Sequence, residues 1–335
     1  MPPPAAPVPL LDRRFLVLTG KGGVGKSTLT AALALAAARR GKRVLACEVN
    51  ADDRLPALLG AKPVGPRIAE IQKNLWCVNI RPHEAMVEYG LMKLKSGALV
   101  HAVLENRVMR YFLNALPSLA EVVTMGKILF HVREQEGGRD RFDVVLLDAP
   151  ATGHGLGLLS ISRSVLGTVP PGPLHDDMRW MAELLEDPAR TAVHLVTLPE
   201  ELPVSETLEL NASLREARLP RGVCLLNGVW PNRVAPGELD SLPREPALAP
   251  VRAAVERMQL RADLGAAEAR RLREGIDLPV LELPQLFVSD FGLAAIERLA
   301  KLLDPHLGEP AAAVTSAEEA GSAGRRAEAA GRSTQ

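Results

Sequence analysis

The sequence predicts an α/β protein with a mostly parallel, doubly wound sheet that carries helices on both faces. Short, continuously apolar runs recur along the chain, and stretches with helical patterning separate them. A strand that is apolar at every position is buried on both faces, which is typical of a parallel sheet between two helical layers. A glycine-rich segment lies between the first apolar run and the first helical stretch, where a tight turn is expected.

The apolar runs that predict strands occupy residues 15–18, 43–49, 76–80, 143–147, 192–197, 223–227 and 280–283. Two longer stretches, residues 82–136 and 155–187, lack strand patterns. The first has helical patterns at 83–95, 98–114 and 118–136. We interpret both stretches as helical insertions that form a cap on one side of the sheet.

The length of 335 residues suits one large α/β domain, which we place at residues 13–306. Residues 1–12 and the Ala/Glu/Gly/Ser-rich residues 307–335 are predicted to be a disordered leader and tail. Acidic and basic residues balance to a formal net charge of zero. Composition therefore gives no reason to expect nucleic acid as a partner.

Three cysteines, Cys47, Cys77 and Cys224, lie far apart in the sequence and within apolar runs. We predict buried thiols in a reducing compartment, with no disulfide or CxxC zinc site within the chain. The sequence shows neither a signal-peptide pattern nor an apolar run of membrane-spanning length. A cytoplasmic protein without direct membrane insertion is the expectation.

Residues 20–28 read GKGGVGKST and lie between the first predicted strand and a helical pattern. That context is typical of a phosphate-binding loop, whose backbone N–H groups surround phosphate oxygens at a helix N-terminus. In such a loop Lys26 reaches the β- and γ-phosphates of ATP, and Ser27 offers its hydroxyl directly to Mg²⁺. The alternative is a glycine-rich turn that only resembles the motif, and the flanking strand and helix argue against it. The predicted ATP contacts in this loop are Gly22, Gly23, Val24, Gly25, Lys26, Ser27 and Thr28.

Lys21 directly follows the first glycine, at a position where an ordinary Walker A loop accepts almost any residue. A lysine there is the mark of the deviant Walker A form, typical of ATPases that hold nucleotide between two subunits. We predict a catalytic role in which Lys21 reaches the partner subunit's nucleotide and stabilises charge on the transferred phosphoryl group. A solvated loop lysine is the alternative.

Asp148 follows the predicted strand at 143–147, where the carboxyl end of a parallel strand faces the phosphate-binding loop. We predict a Walker B carboxylate with a catalytic role, which holds Mg²⁺ through a water molecule. A helix cap is the alternative for an aspartate at a strand end. Residues 149–155 form a turn at the position of a switch II segment, which can rearrange when the γ-phosphate leaves.

Motifs in this order and spacing resemble the ArsA/GET family of ATPases: GKGGVGKST at 20–28, DAPATGH at 148–154 and TLPEELPVSET at 197–207. The resemblance extends over residues 15–303, and LWCVNI at 75–80 is most similar to the bacterial branch. It implies a P-loop NTPase fold of the SIMIBI type, with ATP and Mg²⁺ as ligands and a dimer as the working form.

The same resemblance implies residues that contact the base. Asn227, at the end of a predicted strand, matches the asparagine that reads adenine, and its amide offers one donor and one acceptor. Pro284 matches the loop that covers the base, although less closely. Ordinary loop packing is the alternative for each.

The chain also departs from the family. Where the family carries a catalytic, water-orienting aspartate in switch I, the chain has Asn50, which can hold a water but cannot accept its proton. We therefore expect slow hydrolysis, with Asp52 and Asp53 as candidate substitutes or as solvated residues at a helix start. The chain lacks the CxxC pair and the clustered cysteines of family members, and it holds one ATPase unit. Dimerisation must then join separate chains, as a homodimer or as a heterodimer with a paralogue.

Our first hypothesis is an ATP-driven dimeric switch in which hydrolysis of MgATP drives a conformational change that handles a hydrophobic or protein partner. The second is a regulatory ATP-binding module with weak hydrolysis that works with a paralogous subunit; a large rise in hydrolysis in Asn50→Asp would support it. The third is a ParA/MinD-like positioning ATPase. It is disfavoured because the chain ends in Ala/Glu/Gly instead of a basic amphipathic helix, and because residues 293–303 have the pattern of a core helix.

Overall fold

The computed structural model describes residues 10–94, 119–167, 170–231 and 245–308. Residues 1–9 of the predicted leader, the predicted helix at 98–114 and the predicted tail from residue 309 onward lie outside these ranges.

One eight-stranded sheet forms the centre of the fold. The strands of the described residues are β1 (Phe15–Thr19), β2 (Val44–Val49), β3 (Ala69–Gln72), β4 (Leu75–Ile80), β5 (Gln135–Glu136), β6 (Arg139–Asp140), β7 (Val144–Asp148), β8 (Thr191–Thr197), β9 (Arg221–Val229) and β10 (Val280–Pro284). The strand order is β10, β9, β8, β1, β7, β2, β4, β3, and only β3 runs antiparallel to its neighbour. The prediction of a mostly parallel, doubly wound sheet is confirmed.

Both faces of the sheet are buried, and for this reason its strands are apolar at successive positions. Phe15 and Val17 of β1 belong to one core, whereas Leu16 and Leu18 belong to the core on the opposite face. Successive side chains of a strand point to opposite faces, so both sets must be apolar when helices cover both sides.

The helices divide between the two faces. Those of the described residues are α1 (Lys26–Arg39), α2 (Arg54–Leu58), α3 (Pro82–Leu94), α4 (Leu119–Arg133), α5 (Thr152–Leu166), α6 (Pro173–Glu186), α7 (Glu201–Glu216), α8 (Ala249–Gly275) and α9 (Leu293–Leu303). Helices α1, α2 and α9 contribute to the core on one face, and α3 to α8 contribute to the core on the other. The fully buried alanines of α1 let this helix pack closely between the sheet and α9.

The predicted insertions at 82–136 and 155–187 contain helices α3 to α6, which all pack on the same side of the sheet. The helix predicted at 118–136 ends earlier, at Arg133. Gly137 and Gly138, both at positive φ, join β5 to β6 in a hairpin, since such a turn needs residues that accept left-handed backbone. The prediction of helix to residue 136 is therefore wrong for its last residues.

Two short segments that were assigned to the leader and tail belong to the folded part. Leu10 and Leu11 are buried, and the Leu10 N–H donates to the carbonyl of His306 at 2.9 Å. Leu307 is buried as well. These three leucines belong to the same core as α1 and α9, so the folded part begins before residue 13 and extends past residue 306.

All three cysteines are buried and free, as predicted. Burial raises the pKa of each thiol, that of Cys224 to about 12, so these groups are unreactive core side chains at neutral pH. In the ranges that the structure describes, each helix is too short or too polar to cross a lipid bilayer.

His194 gives the fold a specific sensitivity to acid. It lies in β8 with 1% of its surface exposed, and its Nδ1 accepts the N–H of Val223 at 3.1 Å where the register with β9 shifts. Gly222 makes room for the ring, because a Cβ there would lie 2.4 Å from Nδ1. Burial lowers the pKa of His194 to about 4, from an ordinary value of 6.5.

We expect the folded state to lose about 3 kcal/mol of stability from this one group as the pH falls from 6.5 to 4. The unfolded chain binds a proton in that window and the folded chain does not, so the contribution is complete above pH 6.5. Urea unfolding at a series of pH values from 7.5 to 4 measures how the free energy of unfolding depends on pH. His194→Asn keeps an acceptor for the N–H of Val223 and should reduce this pH dependence. An unchanged pH dependence in this variant would assign the acid sensitivity to other groups.

Candidate nucleotide-binding site

The phosphate-binding loop connects the end of β1 to the start of α1 and takes a conformation that its glycines permit. Gly23 and Gly25 have φ of 86° and 97°, in the left-handed region that disfavours other residues. A Cβ at Gly25 would also lie 2.3 Å from Nδ2 of Asn227. Gly22 and Gly23 are exposed at the top of the loop, Val24 is buried beneath it, and Thr28 is half-buried in the first turn of α1.

Lys26 is the first residue of α1, and its side chain folds back over the loop. Its Nζ donates to the carbonyls of Gly20 at 3.1 Å and Lys21 at 2.9 Å. Burial lowers the pKa of Lys26, which the nearby Asp148 carboxylate partly opposes. The ammonium is thus held beside the loop amides, where it can bind a phosphate oxygen.

Ser27 and Asp148 contact each other, as the predicted metal site requires. Ser27 Oγ donates to Asp148 Oδ2 at 2.6 Å, which joins the first turn of α1 to the carboxyl end of β7. The second oxygen, Oδ1, is buried and has no hydrogen-bond partner among the described residues. Burial raises the pKa of Asp148 to about 6, although Ser27 and Lys26 act to lower it.

Glu48 is a site residue that the sequence analysis missed. It lies in β2, in register with Asp148 of β7, and is almost completely buried. Burial raises the pKa of Glu48 to about 7, and the charge of Asp148 contributes to the rise, whereas the N–H groups of Leu55 and Arg54 act against it. A charged residue inside the apolar run at 44–49 was the signal in the sequence, because a carboxylate is rarely buried there without a role.

These groups line one cavity of about 170 Å³ at the carboxyl edge of the sheet. Lys26, Ser27, Glu48 and Asp148 face it from α1, β2 and β7, and residues 149–151 close its side. The described residues contain no group of three or more His, Cys, Asp or Glu side chains that is arranged to hold a metal ion. Mg²⁺ fits such a site nevertheless, because this ion usually takes few protein oxygens together with phosphates and waters.

Lys21, the predicted trans-acting lysine, forms an ion pair within its own chain. Its Nζ contacts Oε1 of Glu206 in α7, and both side chains are about one-third exposed. Glu206 was part of the motif at 197–207, but its contact with the loop was not predicted. An ion pair of this exposure contributes about 0–1 kcal/mol, so a stronger partner can displace Glu206.

Asn50 lies just after β2 with an exposed side chain and left-handed backbone, at a φ of 46°. It is not among the residues that line the cavity, although Val49 and Ala51 are. Asp53 is buried, and its Oδ1 accepts the N–H groups of Val64 at 3.3 Å and Gly65 at 2.9 Å. These contacts give Asp53 a structural role in holding the following loop, while Asp52 is exposed.

Asn227 and Pro284 lie on the neighbouring strands β9 and β10, and Asn227 contacts the phosphate-binding loop. Asn227 Nδ2 donates to the carbonyl of Val24 at 3.0 Å, which fixes the amide against the loop. Pro284 is exposed at the end of β10. A groove of about 530 Å³ adjoins them and is lined by Gly228 and Gln285. The structure thus places Asn227 against the loop and Pro284 on the adjacent strand.

The model of the anion-transporting ATPase family, ArsA, matches residues 13–169. ATPase BagA of Mycobacterium tuberculosis is 33% identical over 234 residues, which is 68% of each chain. The chain belongs to the ArsA/GET family of ATPases. ATPase GET3B of Arabidopsis thaliana is 24% identical over 268 residues, or 65% of each chain. The arsenical pump-driving ATPase of Escherichia coli is 29% identical over 222 residues, 65% of this chain and 35% of the pump protein.

Membership in the ArsA/GET family confirms the resemblance drawn from the motifs and places the chain among ATPases. The family model ends at residue 169, so it covers the loop at 20–28 and Asp148 but not Asn227 or Pro284. The roles of the predicted site residues, inside and outside the matched range, stay predictions.

Proposed function

We propose that this ArsA/GET-family chain is an ATP-driven dimeric switch that binds and hydrolyses MgATP to alter its contact with a hydrophobic or protein partner. The observation that carries the proposal is the meeting of Lys26, Ser27 and Asp148 on one polar cavity at the carboxyl edge of the sheet. Ligands of doubly wound folds bind at this edge.

The roles of these groups follow from their chemistry. The loop amides and Lys26 would hold the phosphates of ATP, and the left-handed glycines keep side chains away from them. Ser27 would bind Mg²⁺ directly and Asp148 through a water molecule; the ion would supply charge that offsets the negative charge of the phosphates. The unpartnered Oδ1 of Asp148 provides an acceptor for that water.

Lys21 would complete the site of a second subunit. In the described conformation Glu206 holds it, and the weakness of that ion pair allows transfer to a more negative triphosphate. Asn227 and Pro284 would contact the base beside the groove. We further propose that dimerisation joins two copies of this chain, with pairing to a paralogue as the alternative.

The surface next to the groove favours protein contacts. Leu260 and Leu264 of α8 lie one helical turn apart, line this groove and are each 60% exposed. Exposed apolar side chains that lie together are typical of interaction sites. We propose that this face, or the cap of α3 to α6, contacts the partner, and that residues 149–155 transmit the state of the nucleotide to α5.

The positioning-ATPase alternative receives no support from the last described helix. Ile296, Leu299 and Leu303 of α9 are buried against α1, so its apolar face is not free to lie on a membrane. A membrane-binding helix needs that face exposed.

The mass of the purified full chain in solution tests the proposal. We expect a dimer with ATP and Mg²⁺, a monomer with EDTA, and phosphate release that requires both ATP and Mg²⁺. Light scattering and a phosphate assay on the same samples measure both. Failure to bind ATP in the presence of Mg²⁺ would contradict the nucleotide site, whereas ATP binding by a chain that remains a monomer would contradict only the homodimer.

A further inference from the structure

Glu48 is a buried carboxylate for which the proposed function has no use. Only 1% of its surface is exposed, and a buried carboxylate costs several kcal/mol unless other groups compensate it. One oxygen is compensated: Oε2 accepts the N–H of Arg54 at 3.0 Å and that of Leu55 at 3.2 Å, at the start of α2. The other, Oε1, is buried and has no hydrogen-bond partner among the described residues.

The sheet register places Glu48 beside a second residue that has an unpartnered carboxylate oxygen, Asp148. Glu48 pairs with Asp148 across β2 and β7, both side chains line the cavity, and Asp148 Oδ1 lacks a partner as well. Within the described residues Glu48 forms no ion pair. Lys26, which lines the same cavity, donates to backbone carbonyls of the loop instead. Two neighbouring buried carboxylates repel each other, and a divalent cation relieves this repulsion whereas a neutral water does not.

We infer that Glu48 is a positioning residue of the magnesium site, where its Oε1 accepts a hydrogen bond from a water molecule bound to Mg²⁺. This inference rests on the proposed function and deepens it, because it adds a second acidic group to the one contributed by Asp148. The two N–H groups that donate to Oε2 already hold the carboxylate in one orientation. Binding of the ion therefore costs no further conformational entropy of the Glu48 side chain.

The test measures how much Mg²⁺ is needed for binding of a non-hydrolysable ATP analogue, by calorimetry at increasing Mg²⁺. Glu48→Gln keeps an oxygen that can cap α2 but replaces the free acceptor with a donor and removes the charge. We expect it to need about 10- to 100-fold more Mg²⁺ than the wild type. Its binding of the analogue in EDTA and its metal-free melting temperature should stay close to the wild-type values.

Two further variants separate this role from a structural one. Glu70→Gln is the matched control, because Glu70 lies on the edge strand β3 and its Oε1 accepts only the N–H of Asn74, at 3.3 Å. Glu48→Asp keeps the charge but shortens the reach to α2. The inference predicts that Glu48→Asp raises the Mg²⁺ requirement less than Glu48→Gln does. If Glu48 only caps α2, Glu48→Gln should instead be the more stable of the two variants, and neither variant should change the Mg²⁺ requirement.

An unchanged Mg²⁺ requirement in Glu48→Gln would overturn the inference. So would a lower hydrolysis rate at saturating Mg²⁺ without a shift in the requirement, since that result would assign Glu48 to the attacking water. If Glu48→Gln does not fold, the Mg²⁺ requirement of Glu48→Asp decides, because the shorter side chain moves the carboxylate away from the bound water: a requirement above that of the control Glu70→Gln supports the inference, and one equal to that of Glu70→Gln contradicts it. Failure of the wild type itself to bind the analogue with Mg²⁺ would contradict the proposed function instead.

Discussion

Lys26→Ala should lower the rate of ATP hydrolysis at least about 100-fold, the usual effect of removing one preorganised charge-stabilising donor. The side chain is held over the loop by the carbonyls of Gly20 and Lys21, so its ammonium is already in place when the phosphates arrive. Burial lowers the pKa of Lys26, and the charge of the Asp148 carboxylate opposes this effect. A phosphate-release assay at saturating MgATP measures the loss.

The fold of this variant should be unaffected, because the two hydrogen bonds of Lys26 stay within the loop itself and join it to no other element. Lys73→Ala serves as the matched control, since Lys73 is exposed in the turn between β3 and β4. Equal hydrolysis rates for wild type and Lys26→Ala would contradict the assignment of residues 20–28 as the nucleotide site.

The sheet was predictable from the sequence because each buried parallel strand has a recognisable local pattern of apolar residues. Each strand of the parallel sheet is a short apolar run, and the covering helices make both faces apolar. The prediction missed strands β3, β5 and β6, which lack this apolar pattern. Residues 69–72 are polar or half-exposed on an antiparallel edge, and the β5–β6 hairpin is defined by Gly137 and Gly138 instead of by apolar residues.

The phosphate-binding loop was predictable for a similar reason, since its glycines and Lys26 are adjacent in sequence. Contacts between residues that are far apart in the sequence were not predictable in this way. The ion pair of Lys21 with Glu206 joins residues 185 positions apart, and the pairing of Glu48 with Asp148 depends on the strand order β7–β2. Strand order arises from the packing of the whole chain, so the second carboxylate of the cavity becomes apparent only in the folded protein.

Lys21→Ala and Lys26→Ala should each be nearly inactive alone, yet an equal mixture should recover about a quarter of the wild-type hydrolysis rate. Half of randomly formed dimers are mixed, and each mixed dimer has one site with Lys26 from one subunit and Lys21 from the other. The measurement is phosphate release from the mixture, with each variant alone at the same total concentration. The variants are combined before ATP is added, so that subunits can exchange.

This recovery separates the trans role of Lys21 from a cis role more sharply than either variant alone. If Lys21 acts on the nucleotide of its own chain, no subunit in the mixture holds both lysines, and the mixture stays as inactive as its parts. Breaking the contact with Glu206 costs about 1 kcal/mol or less at this exposure, which is small beside the attraction of a triphosphate. The ion pair is therefore compatible with a lysine that leaves its own chain once the partner's nucleotide is bound.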